Sequence, residues 1–293
     1  QYTRLWKEMA QEVEQKTNKR FQIAVYPGGE LPYTPPEVFN IVRDRFVEGG
    51  EAVADFVAGS VPLVNLTNLP MLSTNLKELE ETMKVFQPYV QSELDRMGLQ
   101  ILFWDFGSIK AIYGKGKPVE KLGDLKGRRI RALGAVDSQF VRLIGAVPVA
   151  LPPGEVPQAM QRGVMDAFIA SAQFSVGSKW DELTQWGYLL EISTIAMYET
   201  VNRAAFQALP AEVQKILTDT ASVWQKRWNN EIISLEKSGR EAMEKKGIKL
   251  VTATTEDQAR ARELATPYWE EWAKSVSPKA VQALQEVRKT LRK

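Results

Sequence analysis

One apolar stripe constrains this chain more than any other feature. Val213, Leu217, Thr220, Trp224, Trp228, Ile232 and Leu235 recur at steps of three and four residues, the period of a single helical face. Pro210 stands where a first helical turn tolerates a residue without an N–H, and Gly247 stands where a helix closes. A helix from Pro210 to about Lys246 would be about 55 Å long at 1.5 Å per residue, more than one small lobe needs. It is therefore expected to span two lobes, the alternative being a break at Gly239 into two ordinary helices. Trp224 and Trp228, at helical spacing, are expected in the core rather than on a ligand platform.

Helix and strand signals alternate through the rest of the chain. Leu5, Met9 and Val13, with Trp6 and Ala10 beside them, mark a helix running to about Thr17. Phe21, Ile23 and Val25 then alternate with Gln22 and Ala24 as a strand stopped by Tyr26-Pro27-Gly28-Gly29. A helix from Leu76 to Met97, kinked or split at Pro88, leads into a strand from Leu99 to Trp104. Further strands over 109–113, 128–132, 147–151 and 165–169 are interleaved with helices over 136–144 and 155–162. This rhythm predicts an α/β chain with open sheets covered by helices on both faces. With 293 residues, 44% of them hydrophobic, the chain can build two cores, and without a flexible linker the lobes would be joined by several ordered crossings.

Several function classes fall away. Cysteine and histidine are both absent, which removes thiol nucleophiles, disulfides and Cys/His metal sites. The 38 basic and 36 acidic residues leave a net charge of +2, too little and too dispersed for a nucleic-acid groove. No run of 18 apolar residues is available to span a membrane, and the start at Gln1 shows no signal peptide, so any export signal is expected to have been removed. Gly28-Gly29 and Gly49-Gly50 read as turn pairs, and no phosphate-cradling loop or paired-carboxylate motif stands out. No catalytic residue, cofactor or metal is expected.

The candidate chemistry lies at strand ends. In Gly127-Arg128-Arg129-Ile130-Arg131-Ala132, Arg129 and Arg131 share one strand face and Ile130 and Ala132 the other. Arg131 falls at the C-terminal end, where open α/β sheets bind ligands and where the N-terminus of the following helix adds positive potential. Its planar fork suits a carboxylate. The other reading is a solvated basic edge strand. Phe168 belongs to a short strand leading into Ala170-Ser171-Ala172-Gln173, in which Ser171 reads either as a helix cap or as a ligand contact.

Longer stretches resemble TRAP-type extracytoplasmic solute-binding proteins of the DctP family. The run from Leu125 to Arg131, Gly145-Ala146-Val147-Pro148-Val149, Gly154-Glu155-Val156 and 159–167 match that family in order and spacing. Tyr26-Pro27-Gly28-Gly29-Glu30-Leu31, Leu69-Pro70-Met71-Leu72, Lys179-Trp180-Asp181-Glu182-Leu183 and Leu209-Pro210-Ala211-Glu212-Val213 are further landmarks. The resemblance implies a two-lobed, periplasmic-binding-protein-like α/β fold with a long helix spanning both lobes. The expected lobes are residues 1–106 plus 196–234 and residues 107–195 plus 235–293, with a ligand cleft between them. The family's carboxylate-binding arginine falls on Arg131, and Lys110 stands where many relatives carry a second cation. Relatives also begin with a strand before the first helix, whereas this sequence starts in that helix.

Departures from the family bear on the ligand. Where many members read Asp-Gly-Gln-Glu-Asn-Pro, this chain reads Asp166-Ala167-Phe168-Ile169-Ala170-Ser171, so the usual asparagine is Ala170, and the usual aromatic before Gly154 is Pro153. Losing polar fixing points favours a monocarboxylate with an apolar or aromatic body, including 2-oxo and 2-hydroxy acids, over dicarboxylates or sialic-acid-like ligands. Phe56, Trp104, Phe168, Met197 and Tyr198 are the expected lining. The resemblance implies a periplasmic monomer that delivers this acid to TRAP membrane permease subunits, does not itself span the membrane and binds no nucleic acid. A carboxylate-dependent enzyme or a sensory binding module on the same fold is the alternative.

Overall fold

In the computed structural model, which describes residues 2–293, helices and strands alternate as the sequence pattern requires. The helices are α1 (Tyr2–Lys16), α2 (Val38–Arg43), α3 (Ala54–Val57), α4 (Leu76–Asp95), α5 (Ala135–Leu143), α6 (Val156–Gln161), α7 (Ala172–Gly177), α8 (Arg203–Gln207), α9 (Ala211–Lys245), α10 (Thr255–Val276) and α11 (Pro278–Leu291). The strands are β1 (Gly49–Val53), β2 (Leu99–Ile109), β3 (Ala111–Gly114), β4 (Arg129–Ala132), β5 (Val147–Ala150), β6 (Ala167–Ala170), β7 (Trp186–Leu189), β8 (Thr194–Asn202) and β9 (Lys249–Thr252). No helix among the described residues is long and apolar enough to cross a membrane.

The chain divides into two compact units. The first comprises 1–64, 87–107 and 196–231, and the second 65–86, 108–195 and 232–293. Helix α9 contributes to both, its residues up to 231 belonging to the first and those from 232 to the second. Residues 65–86, which the sequence division puts in the first lobe, are bound into the second unit. Met71 N donates to Ile192 O, Thr194 N donates to Ser73 O at 2.8 Å, and Trp269 Nε1 donates to Pro70 O at 2.8 Å.

The first unit holds a three-stranded sheet in the order β1-β8-β2, with β1 antiparallel to β8 so that Val53 faces Met197 and Gly49 faces Val201. Helix α1 buries Leu5, Met9, Ala10 and Val13, the face read from the sequence. Trp228 lies edge-on to Trp6 at 5.3 Å and touches Phe103 at 5.9 Å, while Trp224 donates through Nε1 to Glu12 at 2.7 Å. Both tryptophans are therefore core, as their spacing predicts.

Two expectations in this unit fail for physical reasons. Residues 21–25 are extended, with half-buried and exposed positions alternating, but they pair with no strand among the described residues. Alternation records one buried side of a segment, whereas a strand also needs a partner for its backbone ladder. Phe21 and Ile23 are held instead by side-chain packing against Val13, Phe206, Val213 and Leu217. Conversely, Gly49 and Gly50 open β1 rather than a turn. A Cβ on Gly50 would come within 2.9 Å of Val38 Cγ1, so its bareness lets α2 lie against the strand.

The second unit contains a six-stranded sheet in the order β5-β4-β6-β3-β7-β9. Strand β4 runs parallel to β5 and β6, β3 antiparallel to β6 and β7, and β7 parallel to β9. Its core gathers Tyr113, Val156, Met160, Met165, Phe168, Trp180 and Met243. Helix α9 runs unbroken through Gly239 and α4 through Pro88, so neither helix divides.

Candidate functional site

Strand register assembles a cationic edge on the second unit. Arg131 of β4 is opposite Phe168 of β6, and Ala170 of β6 is opposite Ala111 of β3. The ends of β4 and β6 and the start of β3 therefore reach one margin of the sheet, and this margin carries Arg131, Ser171 and Lys110. Two strand spacings separate the backbones of β4 and β3, about 10 Å.

Arg131 is only 3% exposed and sits on an interior strand between β5 and β6, which rules out the solvated edge-strand reading. Its Nε donates to Leu151 O at 3.0 Å, and its guanidinium carbon lies 5.6 Å from the centroid of the Trp180 ring. Trp180 in turn meets Phe168 and Phe174 edge-on, each at 5.0 Å. The carbonyl and the indole fix the plane of the guanidinium, and such pre-orientation is what a forked carboxylate contact needs. Phe168, also 6.0 Å from Tyr113, is wholly buried as part of this support.

Lys110, on the same margin, is buried too, and its charge is engaged. Nζ donates to both carboxylate oxygens of Asp137, at 3.0 and 3.1 Å, with both side chains almost fully shielded from solvent. Asp137 occupies the first turn of α5, where a helix N-terminus favours negative charge. The backbone of Lys110 is clamped as well, donating to Ser193 O and accepting from Ile192 N.

Ser171 caps α7: its Oγ accepts from Phe174 N at 3.2 Å, and its carbonyl accepts from Ser175 Oγ at 2.7 Å. Glu236 of α9 completes that cap. Its carboxylate accepts from Ala172 N, Gln173 N and Ser108 Oγ at 3.1–3.2 Å and pairs with Arg240 Nε at 3.2 Å. Sequence inspection overlooked this anchor, because a glutamate on a long helix ordinarily reads as part of a solvated face.

The remaining predicted lining lies in the first unit. Met197 and Phe56 are half-buried, and Trp104 and Tyr198 are buried. The same strands hold an acid cluster that the sequence reading missed. Glu51 is opposite Glu199 in the β1–β8 register, and Asp105 of β2 is close enough to Glu199 for the two acids to act on each other. Burial raises the pKa of both Asp105 and Glu199 well above the usual carboxylate range, with repulsion from Glu51 adding to both and repulsion from Asp105 adding to Glu199. Burial likewise raises Glu51, against a hydrogen bond from Trp6 Nε1 at 3.3 Å. The available signal was a lone acid inside each of two apolar runs, Phe103-Trp104-Asp105-Phe106 and Met197-Tyr198-Glu199-Thr200. No group of three His, Cys, Asp or Glu side chains among the described residues is arranged to hold a metal ion.

The second unit thus presents a buried arginine, oriented by Leu151 O and Trp180, at the margin of a mixed sheet in an α/β fold. The chain matches the DctP family, bacterial extracellular solute-binding protein family 7, over residues 1–275, and it belongs to that family. A solute-binding protein of Albidiferax ferrireducens is 23% identical over 231 residues, which are 76% of this chain and 67% of that relative. Among solved structures, DctP7 of Bordetella pertussis, an extracytoplasmic solute receptor binding pyroglutamic acid, is 27% identical with a TM-score of 0.88, over 98% of this chain and 95% of that one. A TRAP periplasmic solute-binding protein of Desulfovibrio salexigens with bound orotic acid shares the fold at 21% identity and a TM-score of 0.88, over 99% and 94% of the two chains.

Proposed function

We propose that this protein is the periplasmic receptor of a TRAP-type importer, which captures a small organic monocarboxylate and delivers it to membrane permease subunits without transforming it. The observation that carries the reading is Arg131, buried yet held in plane by Leu151 O and Trp180 at the margin where an α/β sheet binds its ligand. In this reading the ligand's carboxylate takes the guanidinium fork, and the two lobes close over the remainder of the molecule. Pyroglutamic acid and orotic acid, bound by two proteins of the same fold, each carry one carboxylate on a compact ring. A ligand with an apolar or planar body, 2-oxo and 2-hydroxy acids included, suits Phe56, Trp104, Met197 and Tyr198 as lining.

A thermal-shift screen of the purified protein against organic acids, amines and sugars tests this, because a ligand of the folded state raises its melting temperature. Stabilisation by monocarboxylates that disappears in Arg131→Ala is the expected result. A response confined to neutral or cationic compounds would overturn the carboxylate reading.

A further inference from the structure

Among its described residues the second unit exposes the large apolar side chains of Val147, Val164, Phe174 and Ile233. Val147 opens β5 and Val164 precedes β6, so both lie at the ends of those parallel strands opposite to Arg131, and Ile233 lies on α9. Phe174 alone of the four stands at the margin, in the first turn of α7 directly after β6, and it is 44% exposed. Its position is nevertheless fixed. Its N–H is capped by Ser171 Oγ at 3.2 Å, Glu236 accepts from the two N–H groups before it, and its ring meets Trp180 at 5.0 Å with the planes 87° apart. The guanidinium carbon of Arg131 lies 5.6 Å from the same indole, so these two steps bound its distance from the Phe174 ring at about 11 Å. A carboxylate on a guanidinium fork and a ring in van der Waals contact each take up about 4 Å, which leaves room for one small ring acid between the two groups.

We infer that Phe174 is a specificity-determining residue: its exposed ring stacks on the body of the ligand whose carboxylate Arg131 holds, and so selects monocarboxylates on a flat ring over those on a saturated one. A flat π-system gains from an aromatic ring beyond the area it buries, whereas a puckered ring of the same size gains only the area. A ring held in advance by the α7 cap pays little ordering entropy when the ligand arrives. The inference rests on the proposed capture of a carboxylate by Arg131 and deepens it, because it states which body the same margin prefers.

Matched probes test it by calorimetric titration: benzoate against cyclohexanecarboxylate, and 2-furoate against tetrahydro-2-furoate, each pair alike in size and charge and different in planarity. Wild-type protein should prefer the flat acid of a pair by about threefold or more. Phe174→Leu, which keeps apolar bulk without a ring, should abolish that preference, and Phe174→Tyr, which keeps the ring, should retain it. A ring that only supports Trp180 would, when lost, weaken both acids of a pair alike and leave their ratio intact. An unchanged ratio in Phe174→Leu therefore overturns the inference, as does a lost preference in Phe174→Tyr. Melting curves without ligand establish that the variants fold. Should the leucine variant not fold, Phe174→Met gives the same comparison, and failure of both to fold overturns the inference by making the ring structural. Wild-type protein that binds neither flat acid, or does not prefer it, sinks this inference but leaves carboxylate capture by Arg131 standing if other monocarboxylates stabilise it. Wild-type protein stabilised by no monocarboxylate in the wider screen removes both.

Discussion

A Cβ on Gly239 would stand 2.8 Å from the backbone nitrogen of Gln173 and 3.0 Å from the carbonyl carbon of Ala172. Helix α9 thus touches the start of α7 backbone to backbone, and Glu236, one turn earlier, caps the same N–H groups. In an exposed helix alanine would gain about 1 kcal/mol over glycine. Here the sign reverses: Gly239→Ala should lose about 1–3 kcal/mol, as overpacking does against backbone that cannot swing aside. Chemical denaturation of the two proteins decides it, and a more stable variant would mean that α7 yields.

Glu236→Ala should cost about 2 kcal/mol or more, since it strips the acceptors from two backbone donors at the start of α7. Glu236→Gln keeps acceptor capacity on one oxygen and should lose less. Melting temperatures of both variants give the ranking, and equal losses would argue that bulk rather than hydrogen bonding matters at this position.

Arg131→Lys separates charge from shape. The ammonium keeps the positive charge but neither the fork nor the planar face over Trp180. Its affinity for the ligand found in the screen should fall by about 10–100-fold, the value of a charge-assisted hydrogen bond, while Arg131→Ala loses more. Calorimetric titration measures both, and a lysine variant equal to wild type would show that charge alone suffices.

The acids Asp105 and Glu199 make stability depend on pH in a defined direction. Their native pKa values lie above those of the unfolded chain, chiefly through burial. The native state therefore holds more protons than the unfolded state above the ordinary carboxylate range, and stability falls as pH rises through the raised values. Glu199→Gln, which removes one titrating group of the cluster, should be more stable than wild type at about pH 8 and gain less at about pH 5. Melting curves across that span check the slope, and parallel curves would show that the pair is not titrating there.

The elements legible in the sequence were those whose side chains alone specify them. The stripe on α9, the buried face of α1 and the β4–α5 passage around Arg131 follow from periodicity and strand ends. Strand β1 was hidden because Gly49 and Gly50 carry no side-chain pattern, and what they supply is room for α2. Residues 21–25 gave the opposite error, a pattern without a partner. At the site, Arg131 could be named but its orientation could not, since Leu151 and Trp180 are 20 and 49 positions away along the chain. Lys110 was visible as a cation, whereas its neutralisation by Asp137 is set by how α5 packs and leaves no local trace.

Each compact unit is assembled from three separate stretches of chain, with α9 shared between them. No contiguous fragment therefore consists of one unit alone, and neither can be excised as an independent folding piece. Residues 1–64 expressed alone would lack β2 and β8 and so the sheet that buries α1, while 108–195 would lack β9 and the Glu236 cap of α7. During synthesis the first unit has to wait for β8 and α9 to emerge, so its early segments remain unfinished while most of the chain is made. A protease nick in a surface loop would for the same reason leave a cut but associated protein rather than two separable halves.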